Sequence, residues 1–462
     1  CHVQLGARET RLMDEPGLVI TGPVKRLSVE DWSENIARRL ESDATGSSVA
    51  ATETSVAQGS DASADGEAPV SQTPEATEPS NVATESPVIW EWLTRLSLDV
   101  KELLIGPQTI SEINLNLNPG PQGWWLDATS EAVKGRIFVP AESQKYVSAE
   151  FERLHLAADR NNDDIEASLP FNLDERTESF RELEVAQWPP VEASIQSLKL
   201  GERDLGTWKF LMEPEDNAVR VRDISGQLNT LSFTGDLFVG IEDQSLITRV
   251  SGDLRGANVA DIGPLIGSQV PLESKKSQIA GTLVWPGRPD DFAAASLSGD
   301  LTLRLDDGVI LQQNNSAQLF RVFNVLNTDT LWRRLQLDFS DLYEAGVAFD
   351  AISGKAALEE GILTLKPELQ VVGPSGAMKL SGSSNLDLET LDMTLVVVLP
   401  LIKNLPLAAV LMGASAPIGG ALFVLDKVLG DPLSKLTSAT YSVQGTWDEP
   451  EVKLDSIFDT SD

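Results

Sequence analysis

Apolar and polar residues alternate along most of this chain, in short runs that are separated by Gly, Asp, Asn and Pro. The alternation extends from Pro87 to about Leu395, with clear examples in WKFLM (208–212), VRVR (219–222) and FTGDLFV (233–239). A period of two residues predicts β-strands with one apolar face and one hydrated face. We count about twenty such strands, which at roughly 4.8 Å each would make a continuous ladder on the order of 95 Å long. The apolar face of such a ladder must be covered by a second sheet, by helices or by a ligand.

Helical periodicity is scarce before residue 400. SVEDWSENIARRL predicts a helix over 28–40 that follows a strand at GLVITGPV, and SAQLFRVFNVLN predicts a second helix that starts at Ser316. The predicted fold class is therefore mostly β. We expect a long, twisted, folded-over antiparallel sheet that forms an elongated hydrophobic groove, with a few short helices and a helical hairpin near the C-terminus.

The strand-rich region contains an internal repeat. LDVKELLIGPQTISEINLNLNPGPQ, which starts at Leu98, aligns without a gap with ASIQSLKLGERDLGTWKFLMEPEDN, which starts at Ala193. After a short gap the match resumes, with KGRIFVP from Lys134 against TGDLFVG from Thr234. Two strand-rich copies in series predict stacked units that share one extended sheet.

One stretch near the C-terminus, NLPLAAVLMGASAPIGGALFVL at 404–425, carries no charge and has the length of a membrane-spanning helix. Its prolines and glycines instead predict two short helices, 405–412 and 418–429, of roughly 12 and 18 Å, whereas a bilayer core is ~30 Å thick. Three interpretations stay open, namely contact with a membrane or its lipids, a plug at the end of the β core, and a true span. The residues predicted to contact a membrane are Leu405, Leu407, Val410, Leu411, Ile418, Leu422, Phe423, Leu425 and Leu429.

These patterns divide the chain into five segments. Residues 1–40 are expected to end a preceding repeat, and 41–86, which contain no Lys, Arg, Leu, Ile or aromatic residue, to form a disordered acidic linker. The β repeats occupy 87–395, the apolar helical hairpin 396–436, and a terminal strand and tail 437–462.

Composition excludes several functions. Seventy acidic residues against 36 basic ones give a net charge of −34, which argues against a nucleic-acid surface. One Cys and two His cannot form a usual zinc site, and no nucleotide-binding or hydrolase motif is present. We predict no enzyme activity, no catalytic residue, no metal and no cofactor.

The C-terminal third resembles a known family. AQLFRVFNVLN, LWRRLQLDFSDLYEAGVAFDAISGKAALEEGILTL, the apolar stretch and YSVQGTWDEPEVKL follow one another as in YhdP-type members of the AsmA-like (bridge-like lipid transfer) family of Gram-negative envelope proteins. WPPVEASIQSLKLGERDLGTW is similar to the groove repeats of that family. The resemblance covers about residues 87 to 455 and residues 1 to 40, with the acidic linker between them as a local insertion.

The resemblance implies a non-enzymatic conduit that carries phospholipid along a hydrophobic β-groove between the inner and outer membranes. It implies a periplasmic chain, part of an inner-membrane-anchored protein whose C-terminal end contacts the outer membrane. The anchor helix of the family is absent from this sequence, so Cys1 is expected to mark a cut; protein partners are not predicted.

Alternation and repetition together select the residues expected to line the groove, which are Val100, Leu103, Ile105, Ile113, Leu115, Ile195, Leu198, Leu200, Trp208, Phe210, Phe233 and Leu237. The alternative is a structural or assembly scaffold of the envelope whose apolar faces close on one another and leave no lipid channel.

Overall fold

The structure is a computed structural model of the 462-residue chain. It describes residues 2–6, 17–29, 93–106, 108–142, 145–158, 172–311, 347–374, 376–400, 436–447 and 449–459. The chain divides into two compact units, residues 1–119 and residues 120–462. Each unit is described by itself.

The first unit contains four described strands. They are β1 (His2–Gln4), β2 (Leu18–Ser28), β3 (Leu93–Ile105) and β4 (Gln108–Gly120), the last of which ends at the boundary between the units. β2 pairs in parallel with both β1 and β3, and β3 pairs with β4 in the antiparallel sense. Ser28, where the predicted helix starts, is the last residue of β2, and helical conformation begins at Val29. The remainder of the predicted helix lies outside the described residues.

The second unit contains sixteen described strands. They are β5 (Gly123–Thr129), β6 (Val133–Pro140), β7 (Val147–Leu156), β8 (Val191–Leu200), β9 (Arg203–Glu215), β10 (Ala218–Leu228), β11 (Leu231–Glu242), β12 (Ser245–Gly256), β13 (Leu272–Pro286), β14 (Ser298–Ile310), β15 (Val347–Glu359), β16 (Ile362–Gly373), β17 (Gly376–Asn385), β18 (Thr390–Pro400), β19 (Leu436–Thr446) and β20 (Pro450–Asp459).

Each strand from β5 to β20 pairs with the next strand in sequence. All of these pairs are antiparallel except β7–β8, which is parallel. The sheet is open and does not close on itself. The predicted mostly β class, an open and largely antiparallel sheet with few short helices, is confirmed.

Antiparallel pairing gives the second unit two rims, where successive strands are connected. Rim A holds the connections β9–β10, β11–β12, β13–β14, β15–β16, β17–β18 and β19–β20. Rim B, on the opposite edge, holds β8–β9, β10–β11, β12–β13, β14–β15, β16–β17 and β18–β19. The end of β14 and the start of β15 therefore both lie on rim B, as do the end of β18 and the start of β19.

The parallel pair β7–β8 requires the chain to cross from one rim to the other. This crossover contains helix α1 (Leu173–Glu182), whose N-cap Asn172 accepts hydrogen bonds from the backbone of Asp174 and Glu175. Helical periodicity in the sequence did not predict this helix. α1 is short and has few apolar residues, so its periodicity is weak, and the capping signal at Asn172 was the one usable sign.

The other described helices are single turns. They are Val185–Gln187, Val259–Ile262, α2 (Gly263–Ile266), Pro289–Asp291 and Ala294–Ser296. The linker predicted at 41–86, the helix predicted at Ser316 and the apolar hairpin predicted at 405–429 lie outside the described residues. Within the described ranges, no helix combines the length and apolar character that a membrane span needs.

The internal repeat corresponds to equivalent strands. Its first copy covers β3, β4 and β6, and its second copy covers β8, β9 and β11. In both copies the first strand pairs in parallel with the strand before it, as β3 does with β2 and β8 does with β7. The repeated sequence thus encodes a repeated order of strands.

Candidate functional site

The strand register brings the apolar side chains of the second unit onto one face of its sheet. On β11 and β12, Phe233 pairs with Leu254 and Leu237 pairs with Val250. Pairs of apolar residues on the same side of the sheet continue in both directions. Ile195 pairs with Trp208 between β8 and β9, and Ile279 pairs with Leu303 between β13 and β14. Paired residues project to the same side of a sheet, so these side chains share a surface, which we call the inner face.

All seven predicted lining residues of the second unit lie on the inner face. They are Ile195, Leu198, Leu200, Trp208, Phe210, Phe233 and Leu237. Ile195 is buried, with 8% of its surface exposed, and the other six are half-buried. The repeat alignment therefore selected side chains that project to one side and that keep part of their apolar surface uncovered.

Three of the five predicted lining residues of the first unit, Val100, Ile113 and Leu115, share one face of β3 and β4, whereas the register of the two strands does not place Leu103 and Ile105 on that face. Val100 pairs with Ile113, while Leu103 and Leu115 pair with other apolar residues of the same two strands. Val100 and Ile113 are almost fully buried, at 1% and 2% exposed, and Leu115 is half-buried. Ile105, at the end of β3, is 44% exposed. The face of this unit is thus more completely covered at its centre than that of β8–β12.

Aromatic rings lie over glycines in the middle of the inner face. A Cβ atom added to Gly226 would come within 2.7 Å of the Trp208 ring, and one added to Gly252 within 2.5 Å of the Phe233 ring. The Trp208 and Phe233 ring centroids are 6.0 Å apart. Glycines without a Cβ therefore leave room for the two rings to form a low apolar floor.

On rim A this floor is bordered by α1. Phe180 of the helix and Val185 after it form a buried cluster with Val239 and Leu246. The Leu246 N–H donates a hydrogen bond of 3.1 Å to Thr177 Oγ1. An ion pair of 3.2 Å joins Arg176 to the largely buried Asp291 in the β13–β14 connection. The helix is thus fixed to the edge of the inner face by packing, a hydrogen bond and a charge pair.

On rim B the border is the segment 258–266. Val259 has no exposed surface, and the segment contacts β11 and β13. The Asp261 carboxylate accepts hydrogen bonds from Asn229 Nδ2 (3.0 Å) and from the Thr230 N–H (3.1 Å), which attach the segment to the β10–β11 turn. Both ends of β10–β12 are therefore covered, and the centre of the inner face between them is half-buried.

The inner face changes character along the sheet. From β5 to β14, which we call the open section, the centre of the face is mostly half-buried. From β16 to β19, which we call the filled section, almost every inner-face side chain is buried, including Leu380 (1% exposed), Leu395 (0%) and Val443 (0%). Burial also raises the pKa of the Tyr441 phenol, because a dry environment disfavours phenolate.

The opposite side of the open section, the outer face, is polar and carries ion pairs. Arg220 pairs with Glu215 at 2.9 Å, and Arg249 pairs with Glu242 at 2.6 Å. The hydrogen bond from Arg249 lowers the pKa of the Glu242 carboxyl below its ordinary value. Both guanidinium groups lie over the Phe238 ring, at 5.1 and 5.4 Å from its centroid. The charged and polar side chains of this face can be hydrated, so the face can be exposed to water.

His155 lies on the outer face of β7, on the side opposite to Leu154 and Leu156. Its Nε2 is 3.3 Å from Ser197 Oγ. Burial, followed by the nearby charges of Lys199 and Arg153, lowers its pKa. No group of three or more potential metal ligands occurs in the described parts of the chain.

Sequence reasoning missed several inner-face residues of the open section. Phe151 of β7 pairs with Ile195, and Ile224 of β10 pairs with Gly235 on the same face. Phe151 alternates with polar neighbours in FERLHL, a signal that could have found it. The pairing register shifts between Val221 and Ile224. Simple alternation from the start of the strand therefore could not predict the face on which Ile224 lies. The residues predicted to contact a membrane, 405–429, lie outside the described residues.

An open sheet of many strands, polar on one face and continuously apolar on the other, defines a class of β-sheet proteins that present an extended apolar surface. Comparison with known proteins identifies the family within this class. A family model described as "YhdP protein" matches residues 1–452, so the chain belongs to the YhdP family. The predicted family is confirmed.

One curated relative is the "Intermembrane phospholipid transporter YhdP" of Escherichia coli (strain K12), which is 30% identical over 210 residues. The alignment covers 44% of this chain and 16% of the relative, so the chain matches a small part of that protein's length. No solved structure matches the chain.

Proposed function

We propose that this chain is a section of a non-enzymatic conduit that carries phospholipid between the inner and outer membranes of a Gram-negative envelope. The acyl chains would lie on the inner face of the open section, and the polar outer face would be in contact with the periplasm. The name of the relative supports a role between two membranes. The periplasmic location and the membrane contact at the C-terminal end are parts of this proposal.

The observation that carries the proposal is the half-buried centre of the inner face across β5–β14. Uncovered apolar surface in a continuous row of strands is costly in water and is expected where a hydrophobic ligand covers it. Shielding acyl chains gains about 0.8 kcal/mol per methylene, so a 16-carbon tail would gain up to ~13 kcal/mol on a fully apolar wall.

Continuity of the face explains how so strong an interaction permits movement. A lipid in an isolated pocket would have to lose all of this free energy to leave. On a row of similar strands, each strand that the lipid leaves behind is replaced by an equivalent apolar strand ahead, so the lipid can move along the face without entering water. No nucleotide-binding motif occurs in the sequence, so this chain supplies a path and the driving force is expected to come from elsewhere.

The test is a charge placed on either face of one strand. Phe233→Asp puts a carboxylate on the floor of the open section, and Ser232→Asp puts the same group on the exposed outer face one residue away. We expect Phe233→Asp to abolish most of the lipid that co-purifies with the chain, measured by native mass spectrometry, and Ser232→Asp to leave it unchanged. Equal lipid content in both folded variants would refute the conduit.

A second candidate function is a scaffold with a closed β core and no lipid path. The filled section β16–β19 favours it, because its inner face is covered by protein alone. The scaffold predicts that the unmodified chain brings down no lipid under mild extraction, whereas the conduit predicts bound phospholipid.

A further inference from the structure

The half-buried centre of the inner face narrows along the sheet and then ends. Between the covered ends of β11, three inner-face positions are not buried, and on β14 three are not, Gly299, Leu301 and Leu303. On β15 only Ala356 is left between buried neighbours. On β16 all four inner-face side chains are buried, namely Leu363, Leu365, Leu369 and Val371.

Among the described residues, the side chains that pack in this region belong to the sheet itself and to the connections between its strands. A single buried cluster joins residues of β13–β20 with Leu297 and Leu386 from the connections, and both of these are at most 2% exposed. Side chains such as Leu395 and Val443 have no exposed surface. A ligand could reach them only if packed protein were displaced, at the cost of a cavity or of overpacking.

A chain of backbone hydrogen bonds holds the rim A connections together over the filled section. The Gly361 N–H donates to the Leu297 carbonyl (3.0 Å), and the Leu386 N–H donates to the Gly361 carbonyl (2.8 Å). The Trp447 N–H donates to the Glu389 carbonyl (2.9 Å), while Trp447 Nε1 donates to the buried Ser384 Oγ (2.9 Å). Displacement of one connection would therefore break bonds to the next, so these connections resist opening as separate flaps.

From these three observations we infer that the acyl-chain path of this chain has a blind end at β15–β16. Lipid occupies the inner face of the open section and does not pass over β16–β19, which act as an internal stop. A lipid that reaches this stop must leave the inner face over a rim. This inference rests on the proposed function and adds the place where the path on the inner face ends.

Two aromatic residues provide a matched pair for the test. Phe233 is half-buried in the open section, and Tyr441 is 3% exposed in the filled section, and both are on the inner face. Each is replaced by the photocrosslinking aromatic residue p-benzoylphenylalanine in the 462-residue chain. The chain is incubated with vesicles of phosphatidylethanolamine and phosphatidylglycerol, irradiated, and analysed for lipid adducts by mass spectrometry.

We expect lipid adducts at Phe233 and only background at Tyr441. Adducts of similar yield at both positions would overturn the blind end and leave the conduit standing. Background at both positions would overturn the conduit and the blind end with it.

A second variant covers the case in which the Tyr441 substitution unfolds the chain. Met393→Ala removes most of a side chain that is 2% exposed in the filled section. If the section is a stop, this variant lowers the melting temperature and leaves the number of bound lipids unchanged. A fall in bound lipid in the folded variant would mean that lipid normally contacts this position, and the blind end would be wrong.

Discussion

The open section and the filled section have the same strand pattern and differ in what covers it. In both, apolar residues alternate with polar ones and pair across strands on the inner face. In β10–β12 the middle of that face holds glycines with aromatic rings over them, whereas in β16–β19 most positions hold a buried apolar side chain. Alternation therefore determines which side of a sheet is apolar, but it does not determine whether that side is covered by other protein side chains.

The largest difference in stability between the two sections is expected when one leucine side chain is truncated in each. Leu395→Ala leaves a cavity where the side chain was 0% exposed, and we expect it to lower the free energy of unfolding by about 2–5 kcal/mol. Leu198→Ala, on the half-buried inner face of β8, should cost less than about 1.5 kcal/mol, because part of that side chain already contacts solvent. Chemical denaturation of both variants measures the difference. Similar costs at the two positions would remove the distinction between the sections.

A smaller effect is expected from loosening α1 at rim A of the open section. The Asp291 carboxylate pairs with Arg176 and accepts a hydrogen bond of 2.8 Å from the Arg288 N–H. Asp291→Asn removes the charge from a nearly buried site, and we expect a loss of about 1–3 kcal/mol. Hydrogen exchange should increase in α1, with the exposed Asp290→Asn as the control. Unchanged exchange in α1 would mean that packing alone holds the helix.

The aromatic floor predicts a further, more local effect. In Gly252→Ala the added methyl group would meet the Phe233 ring at 2.5 Å, so the ring must tilt into the open space of the inner face. We expect a stability loss of about 1–2 kcal/mol. Bound lipid should also fall, because the displaced ring would take up space that an acyl chain would occupy. The double variant Gly252→Ala with Phe233→Leu should recover part of both losses; no recovery would place the cause elsewhere.

The smallest expected effect concerns a carboxyl group on β15, where the open centre ends. Burial, followed by the nearby Asp307, raises the pKa of Asp350 above its ordinary value of 3.8. The folded state therefore holds this proton more tightly than the unfolded state does. The stability contribution is present at acidic pH and declines as pH rises from the unfolded value through the folded value.

Asp350→Asn should therefore melt at a slightly higher temperature than the unmodified chain at neutral pH and at the same temperature well below pH 3.8. Asp387→Asn, which removes the same charge from an exposed turn, is the matched control. A gain at neutral pH no larger than that of the control would show that only the overall negative charge matters.

Much of the fold could be predicted from the chain because it depends on local periodicity. The alternation in WKFLM and FTGDLFV placed Trp208, Phe210, Phe233 and Leu237 on one face, as their strand pairings bear out. The face on which Ile224 lies could not be predicted, because the pairing register shifts after Val221. α1 was missed since most of its stability comes from contacts with distant strands, which leave little trace in the helix sequence.

By itself the sequence determined the strand-rich class, the polarity of the two faces and the repeated order of strands, because each depends on the spacing of neighbouring residues. Only the tertiary structure decided where the apolar face is open and where it is filled. That difference depends on which distant connections reach over the sheet, as Leu297 and Leu386 do, and contacts between residues so far apart in the chain have no periodic signature.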